Sequence, residues 1–540
     1  MKRRDFLRAG ALGGAAAFIP GSANAFPAGS GEGEATVSDT AFELEEATVA
    51  ALQRDMISGR RSARSIAEDY IERIESLDRK GPALRAVIEI NPDAMSIAAA
   101  LDKERKERGS RGALHGIPVL IKDNIDTADR MMTTAGSYAL EGSTPSRDAF
   151  IVRRLRDAGA VILGKTNLSE WANFRSTHST SGRSGRGGQA RNPYVLDRNP
   201  CGSSSGSGSA VSANFCAVAV GTETDGSIVC PASANGIVGI KPTLGLVSRS
   251  GIIPIAHSQD TAGPMTRTVT DAAILLNALA GVDSRDSLTG SSRGKSRPDY
   301  TRFLDAAGLK GARLGVARAK FFGYSDAADK LVNEAIDLMK ALGAVIVDPA
   351  DIPNSGKFDD TEFEVLLYEF KADLNSYLAS RGGNPRVKSL ADIIDFNEKD
   401  KAREMPFFGQ EIMIMAQKKG PLTSKKYRDA LAHNHLMSRA QGIDAVMTKH
   451  RLDAIVAPTG SPPWPTDLIN GDHFTGASST PAAVAGYPNI NVPAGFVSGL
   501  PVGISFFGRA WSEPKLISIA YAYEQASRHR RPPRFLATLT

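Results

Sequence analysis

Short apolar runs alternate with helical patterns along most of the chain after residue 84. LRAVIEI, PVLIKD and AVILGK predict strands, and AMSIAAALDKERKER and FIVRRLRDAGA predict the helices that connect them. The alternation resumes with ARLGVAR, ADKLVNEAIDLMKALG and AVIVDP, and again with DAIVAP, VGISFF and PKLISIAYAYEQASRH. This order predicts an α/β fold with a large mixed, mostly parallel twisted sheet and helices on both of its faces.

Two helical regions interrupt the alternation. Before it, FELEEATVAALQRDMISG predicts a helix that ends at Gly59, and Ser65 with Glu68 forms a capping box for a second helix, so we expect an N-terminal helical arm packed on the main body. Later, residues from about 355 to 450 predict a helical insertion, of which FEVLLYEFKADLNSYLA is the clearest helix. Residues 281–300 are polar and read equally well as a surface loop or a boundary. The simplest interpretation is one domain over residues 41–540.

The first 25 residues predict an export signal. Arg3 and Arg4 precede a short apolar segment, and Ala23-Asn24-Ala25 offers a cleavage site, which resembles a twin-arginine signal. About 11 apolar residues are too few to span a bilayer. We therefore expect an exported, periplasmic protein cleaved near Ala25, without stable membrane insertion, followed by a flexible stretch over residues 26–40.

Composition and charge narrow the function classes. The 540 residues are 42% apolar and 23% charged, which is typical of a globular protein, and the formal net charge is +6. Residues 1–25 supply a net +3 of that charge, so the remainder is too evenly balanced to indicate a nucleic-acid partner.

The stretch Cys201–Thr243 carries the candidate chemistry. Gly/Ser turns place serines on both sides of a segment that predicts a buried helix and strand. Glycine permits the positive φ angles and close approaches that expose a nucleophile on a turn. A flexible linker is the alternative, but a linker would not continue directly into AVSANFCAVAVG and IVCPASANGIVGI.

A serine nucleophile needs a base, and Lys122 is the candidate. None of the eight histidines lies in a motif that pairs it with a serine, so nothing supports a Ser-His-Asp triad. Lys122 ends the strand PVLIKD, at the sheet edge where α/β sites lie. Lowering its pKa from about 10.4 to about 7.4 corresponds to roughly 4 kcal/mol. A lysine that extends its amine to solvent is the alternative.

Three cysteines lie within the same stretch: Cys201, Cys216 and Cys230. Without a CxxC pair or nearby histidines, they do not indicate a zinc site. One pair could form a disulfide in an oxidising compartment, but we favour the role of small buried apolar residues.

Lys122 in GIPVLIKDN, Ser203 in CGSSSGSG and Ser227 in GTETDGSIVCPASANGIVGIKPT together resemble the amidase signature family. The two serines are 24 positions apart, as that family requires, and this spacing selects Ser203 over Ser204 and Ser205. Other segments, including GKTNLSEWANFRS and AGYPNINVPAGFVSGLPVGISFF, are similar to the bacterial peptide amidase branch of the family.

The resemblance implies a Ser-Ser-Lys mechanism. Ser227 is the expected nucleophile, and Ser203, after a cis Gly202-Ser203 peptide bond, relays protons between Ser227 and neutral Lys122. The backbone N–H groups of Thr224, Asp225, Gly226 and Ser227 are expected to form the oxyanion hole, with Thr222 as a supporting residue. No metal or organic cofactor is expected.

Two positions depart from the family pattern. Cys201 and Asp225 stand where many relatives carry glycine. Asp225 is expected to contribute only its backbone N–H, which leaves the detailed shape of the pocket open.

The resemblance implies hydrolysis of the C-terminal amide of peptides, with fatty-acid, aryl or other small amides as the alternative substrates. Other classes also remain open. A nucleotide-binding protein would use the Gly-rich turns as a phosphate cradle, but no GxGxxG motif follows a strand in the required βαβ setting. A subunit of a tRNA-linked amidotransferase shares the signature but not the export signal. A catalytically silent binding module is the third alternative.

Overall fold

A computed structural model describes residues 42–382 and 386–539. The predicted signal over residues 1–25 and the predicted flexible stretch over residues 26–40 lie outside the described residues. From Phe42 onward the chain forms one compact unit. In that described part, no helix combines the length and the apolar character needed to cross a membrane.

A mixed sheet of 11 strands runs through the molecule, in the order β1-β3-β2-β6-β8-β7-β12-β13-β11-β9-β10. A separate two-stranded hairpin consists of β4 and β5. The strands are β1 (Val87–Ile90), β2 (Pro118–Lys122), β3 (Val161–Thr166), β4 (Arg183–Ser184), β5 (Gly188–Gln189), β6 (Val218–Glu223), β7 (Val238–Lys241), β8 (Thr261–Thr266), β9 (Arg313–Val316), β10 (Val345–Val347), β11 (Ala454–Pro458), β12 (Asn489–Val497) and β13 (Leu500–Phe507).

The predicted α/β fold with a large mixed sheet is confirmed, but the parallel share is smaller than expected. Parallel pairing joins β2 to β3 and β6, and joins β9 to β10 and β11. The other neighbouring strands of this sheet pair antiparallel. The strand–helix–strand pattern identifies crossover units at the two ends of the sheet, whereas the central strands β8, β7, β12 and β13 follow one another in antiparallel fashion. The β12–β13 hairpin turns at Ser498 and Gly499, both with positive φ.

Helices pack against the sheet. Helix α5 packs against β2, β3 and β6, and α8 and α16 pack against β12. The helices are α1 (Val49–Ser58), α2 (Ala63–Ile74), α3 (Ala94–Arg108), α4 (Phe150–Asp157), α5 (Ser205–Ser212), α6 (Val229–Ala234), α7 (Val269–Leu279), α8 (Asp326–Ala341), α9 (Asp359–Ser380), α10 (Leu390–Lys399), α11 (Lys401–Glu404), α12 (Glu411–Gln417), α13 (Lys425–Ser438), α14 (Asp444–His450), α15 (Thr480–Ala485) and α16 (Glu513–Ser527).

The N-terminal arm has different caps from those expected. Helix α1 begins after Thr48, whose hydroxyl accepts the N–H of Ala51, and it ends at the left-handed Gly59 as predicted. The capping box of α2 joins Ser62 to Ser65, so the predicted pair of Ser65 and Glu68 is wrong. A serine at the third helical position completes the box as Glu would, which moves the start of the helix three residues earlier.

Between β10 and β11 the described chain is helical, from α9 to α14. Helix α9 contributes Leu366, Phe370 and Leu374 to a second hydrophobic cluster, which also contains Trp171 and Phe174 from the loop after β3. The helical segment therefore packs beside the loops that follow the parallel strands, and this contact brings α9 to the site described below.

Candidate active site

The ends of two neighbouring parallel strands bring Lys122 and Thr222 together. Strand β2 ends at Lys122 and pairs in parallel with β6, which contains Thr222 near its end. Since carboxyl ends of parallel strands lie at one edge of a sheet, the loops that follow form a site there. Ser203 lies just before α5, which packs on these strands, and Ser227 lies in the turn between β6 and α6.

The amine of Lys122 is fully buried among hydroxyl groups. Its Nζ lies 2.7 Å from Ser203 Oγ, 2.9 Å from Thr222 Oγ1 and 3.2 Å from the Thr222 carbonyl oxygen. Burial lowers the pKa of Lys122 to about 7, although the carboxyl groups of Asp260 and Glu223 oppose this shift. The alternative of a lysine that reaches into solvent is excluded, and a substantial fraction of the amine is neutral near pH 7.

The three consecutive serines have different partners. Ser203 contacts Lys122, whereas the Ser204 hydroxyl donates to the Thr222 carbonyl at 3.0 Å and the Ser205 hydroxyl donates to the Cys201 carbonyl at 2.6 Å. The structure therefore distinguishes Ser203 from its neighbours, in agreement with the spacing argument. The Gly202-Ser203 peptide bond is cis, as the resemblance implied.

The turn that carries Ser227 presents a row of free backbone donors. Within the described part of the chain, the N–H groups of Thr224, Asp225, Gly226 and Ser227 have no hydrogen-bond acceptor. Gly226 has a φ of 78°, in the left-handed region, and Ser227 is 7% exposed. A row of unpaired N–H groups beside a nearly buried hydroxyl can bind an oxygen that develops negative charge.

The side chains of this turn are also bound, which corrects the expectation for Asp225. The hydroxyls of Ser479 and Thr480 donate to its two carboxylate oxygens, at 2.6 Å and 2.7 Å. The carboxylate of Asp225 is therefore bound to other side chains, while its backbone N–H is free. The Thr224 hydroxyl donates to Asp260 at 2.5 Å, and burial raises the pKa of Asp260 to about 6.

Comparison with known proteins identifies the family of the chain. The sequence model of the protein family described as Amidase matches residues 65–517 of this chain. The chain belongs to the amidase signature family. A probable amidase of Arabidopsis thaliana is 45% identical over 92% of this chain and 93% of the relative. The crystal structure of native peptide amidase from Stenotrophomonas maltophilia is 52% identical, with a TM-score of 0.88 over 92% of this chain and 100% of that one. A peptide amidase in complex with the competitive inhibitor chymostatin is 52% identical, with a TM-score of 0.89 over 91% and 99%.

The two serine loops of this amidase are joined by a disulfide. Cys201 and Cys230 form the bond, with their Cα atoms 6.0 Å apart, and Cys216 is free and buried. The favoured interpretation of all three cysteines as buried apolar residues is therefore wrong for two of them. Sequence spacing could not select the pair, because Cys201 and Cys230 meet only when the two turns are folded against each other.

A cavity of about 280 Å³ adjoins the site of the amidase. Thr222 and Thr224 line it on the β6 side, Ile252 and Ile255 line it from the loop before β8, and Tyr377 lines it from α9. Of the four residues with free N–H groups, Thr224 lines this cavity. Sequence analysis did not predict that α9 lines this cavity. The charged and polar residues within the helix FEVLLYEFKADLNSYLA are a signal that could have indicated it.

One group of potential metal ligands lies at this cavity. Among the described residues, ligand atoms of His257, Glu369 and Asp373 lie within 4.8 Å of one another. They are already paired, since His257 Nδ1 lies 2.8 Å from Asp373 and the Tyr427 hydroxyl donates to Glu369 at 2.7 Å. These contacts explain the cluster without an ion.

Proposed function

We propose that this amidase hydrolyses the C-terminal carboxamide of peptides and releases ammonia. The observation that carries the proposal is the contact of 2.7 Å between a buried Lys122 amine and Ser203. The next residue, Ser204, donates its N–H to the Ser227 carbonyl at 3.1 Å, which places the two turns side by side. The similarity to peptide amidases at 52% identity supports the peptide amide as the substrate.

The proton path starts at Lys122. In its neutral form the amine accepts the proton of Ser203, and Ser203 in turn accepts the proton of Ser227 as Ser227 Oγ attacks the carbonyl carbon. Because the pKa of Lys122 is about 7, the amine can both accept and return a proton near neutral pH.

The free N–H groups act on the carbonyl oxygen. As the oxygen becomes negative, the donors of residues 224–227 stabilise it, and one well-placed donor contributes about 3 to 4 kcal/mol. The proton then returns through Ser203 to the leaving nitrogen, the C–N bond breaks and ammonia departs. Water attacks the acyl-Ser227 ester by the same proton path and releases the free acid.

Ammonia release from three substrates tests the proposal. Purified protein is incubated with an amidated peptide, an aliphatic acyl amide and an aryl amide of similar size. We expect the amidated peptide to have the highest kcat/KM, with mass spectrometry showing the loss of the terminal amide alone. Cleavage of internal peptide bonds, or preference for the aryl or acyl amide, would contradict the peptide-amide assignment.

Two variants test the residue assignment. Ser227→Ala should lower kcat by about 10⁴- to 10⁶-fold, as removal of a serine nucleophile does elsewhere. The matched control is Ser424→Ala, which removes a hydroxyl that donates to the Pro421 carbonyl on the helical segment. Equal activity of the two variants would refute a serine mechanism at residue 227.

We also propose that the protein is exported to the periplasm. The twin arginines Arg3 and Arg4 and the cleavage site at Ala25 support a periplasmic location, and a disulfide suits an oxidising compartment. Cell fractionation tests it: replacing both arginines by lysine should retain the protein in the cytoplasm. An unchanged periplasmic fraction would contradict export by this route.

A further inference from the structure

The side chain of Asp225 binds a distant part of the chain. Its two carboxylate oxygens each accept one hydroxyl, from Ser479 and from Thr480. These residues stand at the start of α15, more than 250 positions later in the sequence. Asp225 is the second of the four residues with free N–H groups, so the same residue faces the proposed oxyanion with its backbone and α15 with its side chain.

The turn and α15 are in close contact. A Cβ atom added to Gly226 would lie 2.9 Å from Ser479 Oγ, too near for an ordinary contact. Because Gly226 also has a positive φ, no other residue fits here without a shift of either the turn or Ser479. The separation between the two segments is therefore set by the Asp225 contacts on one side and by glycine on the other.

Helix α15 is itself tied to the sheet. The buried amine of Lys241, at the end of β7, donates to the carbonyls of Tyr487 at 2.6 Å and Ala482 at 3.3 Å. The N–H of Leu244 donates to the Gly486 carbonyl at 3.0 Å. Since these three bonds connect α15 and the two residues after it to the end of β7 and the segment that follows, the helix offers a support for the Ser227 turn.

We infer that Asp225 is a positioning residue, whose carboxylate holds the four N–H groups of the Ser227 turn in place through the hydroxyls of Ser479 and Thr480. The inference rests on the proposed function in that this turn is the oxyanion hole. A carboxylate suits the role because its two oxygens accept two hydroxyls at once. The chain thus holds this turn through a side chain as well as through its backbone.

The expected cost follows from geometry. Donors aligned to the oxyanion act in the transition state, so a small displacement lowers kcat more than it raises KM. A misplacement of about 1 Å can cost about 100-fold in rate. We expect Asp225→Gly to lower kcat by about 10- to 100-fold with KM within about threefold of the original, while Asp225→Asn, which keeps one acceptor oxygen, loses less.

A double-mutant cycle tests the three side chains as a unit. The variants are Asp225→Gly, the pair Ser479→Ala and Thr480→Val, and all three changes together. If the side chains of Asp225, Ser479 and Thr480 act as one unit, the combined variant is about as slow as Asp225→Gly alone. The matched control is Asp299→Ala, which removes a carboxylate that accepts the Thr301 hydroxyl at 2.6 Å outside the cavity, and its kcat should be unchanged.

Several results would overturn the inference. One is a lower melting temperature for Asp225→Gly with unchanged kcat, which would mean a purely structural contact. A second is full additivity of the two sets of changes. A third is a faster Asp225→Asn variant. This result would mean that the negative charge of Asp225 destabilises the oxyanion more than its hydrogen bonds to Ser479 and Thr480 stabilise the oxyanion hole.

A substrate-independent measurement separates this inference from the proposed function. The rate at which a fluorophosphonate labels Ser227 also depends on the oxyanion hole. Slower labelling of Asp225→Gly supports the role of Asp225 as a positioning residue even if peptide amides prove to be poor substrates. Unchanged labelling refutes that role and does not affect the substrate assignment.

Discussion

Two fully buried lysines on adjacent strands have opposite surroundings. Lys122 ends β2, and Lys165 lies in β3, paired with Ile121 in the parallel register. Since consecutive residues of a strand point to opposite faces, the two amines lie on opposite sides of the sheet. Burial lowers the pKa of both amines.

The partners of the two amines differ. Lys122 contacts the hydroxyl of Ser203, from a loop 81 positions away, whereas Lys165 donates to the Ile125 carbonyl at 2.6 Å and to the Thr133 hydroxyl at 2.7 Å. Asp123 and Asp126 lie near Lys165 and favour its charged form. Both amines contact a hydroxyl, but in the proposed mechanism only that of Ser203 passes a proton on to a nucleophile, so burial alone would not make a lysine the base.

Replacing each lysine in turn is the most direct test of whether the two amines have different roles. Lys122→Met should lower kcat by about 10²- to 10⁴-fold, because general-base catalysis contributes that much. Lys165→Met should lower the free energy of unfolding, since it leaves nearby carboxylates without their cation, but should keep kcat per folded molecule within a few-fold. Both are measured by ammonia release, with folded protein counted by circular dichroism. Equal losses of kcat would show that the two lysines are not functionally different.

The disulfide sharpens the comparison, because it joins the two loops that bring serines to the Lys122 face. It links residues 29 positions apart, and a loop of that length corresponds to about 3 to 4 kcal/mol of stability. The double change Cys201→Ser and Cys230→Ser should lower the free energy of unfolding by about this amount and also lower kcat. Cys216→Ala is the control, because Cys216 is buried but unpaired. Denaturant unfolding that leaves the double variant as stable as the control would contradict the prediction.

Sequence analysis reached the Lys122 face through local signals and a resemblance. The run PVLIKD places Lys122 at a strand end, and the spacing of 24 selects Ser203 and Ser227. Both depend on residues close in sequence to the ones they identify. The mixed sheet was also predictable, because alternating apolar runs and helical patterns depend on neighbouring residues.

The parts that sequence analysis missed depend on contacts between distant segments. Asp225 meets Ser479 across 254 positions, and no local pattern indicates the pair. The Cys201–Cys230 bond and the α9 wall of the cavity have the same origin. The parallel share of the sheet was overestimated because antiparallel neighbours such as β7 and β12 are also separated by a long stretch of chain.

The pH dependence of the rate follows from the pKa of Lys122. The amine must be neutral to accept a proton, so kcat/KM should rise about tenfold per pH unit below pH 7 and level off above it. The slope corresponds to 1.36 kcal/mol per unit. Lys165→Met should show the same profile, measured with an uncharged amidated peptide between pH 5 and pH 9. A flat profile across pH 6 to 8 would be incompatible with Lys122 as the base.

The smallest expected effect concerns the two threonines that contact the lysines. Thr222→Val removes the hydroxyl at 2.9 Å from the Lys122 amine but keeps the backbone carbonyl. One hydrogen bond of about 1 kcal/mol corresponds to a loss of about fivefold in kcat. Because an accepting hydroxyl favours the charged amine, its loss should also move the midpoint of the pH profile to lower pH. Thr133→Val makes the same change on the Lys165 face and should leave both kcat and the midpoint unchanged. A midpoint that moves upward in Thr222→Val would mean that the hydroxyl donates to a neutral amine instead, which would reverse the hydrogen bond assigned here.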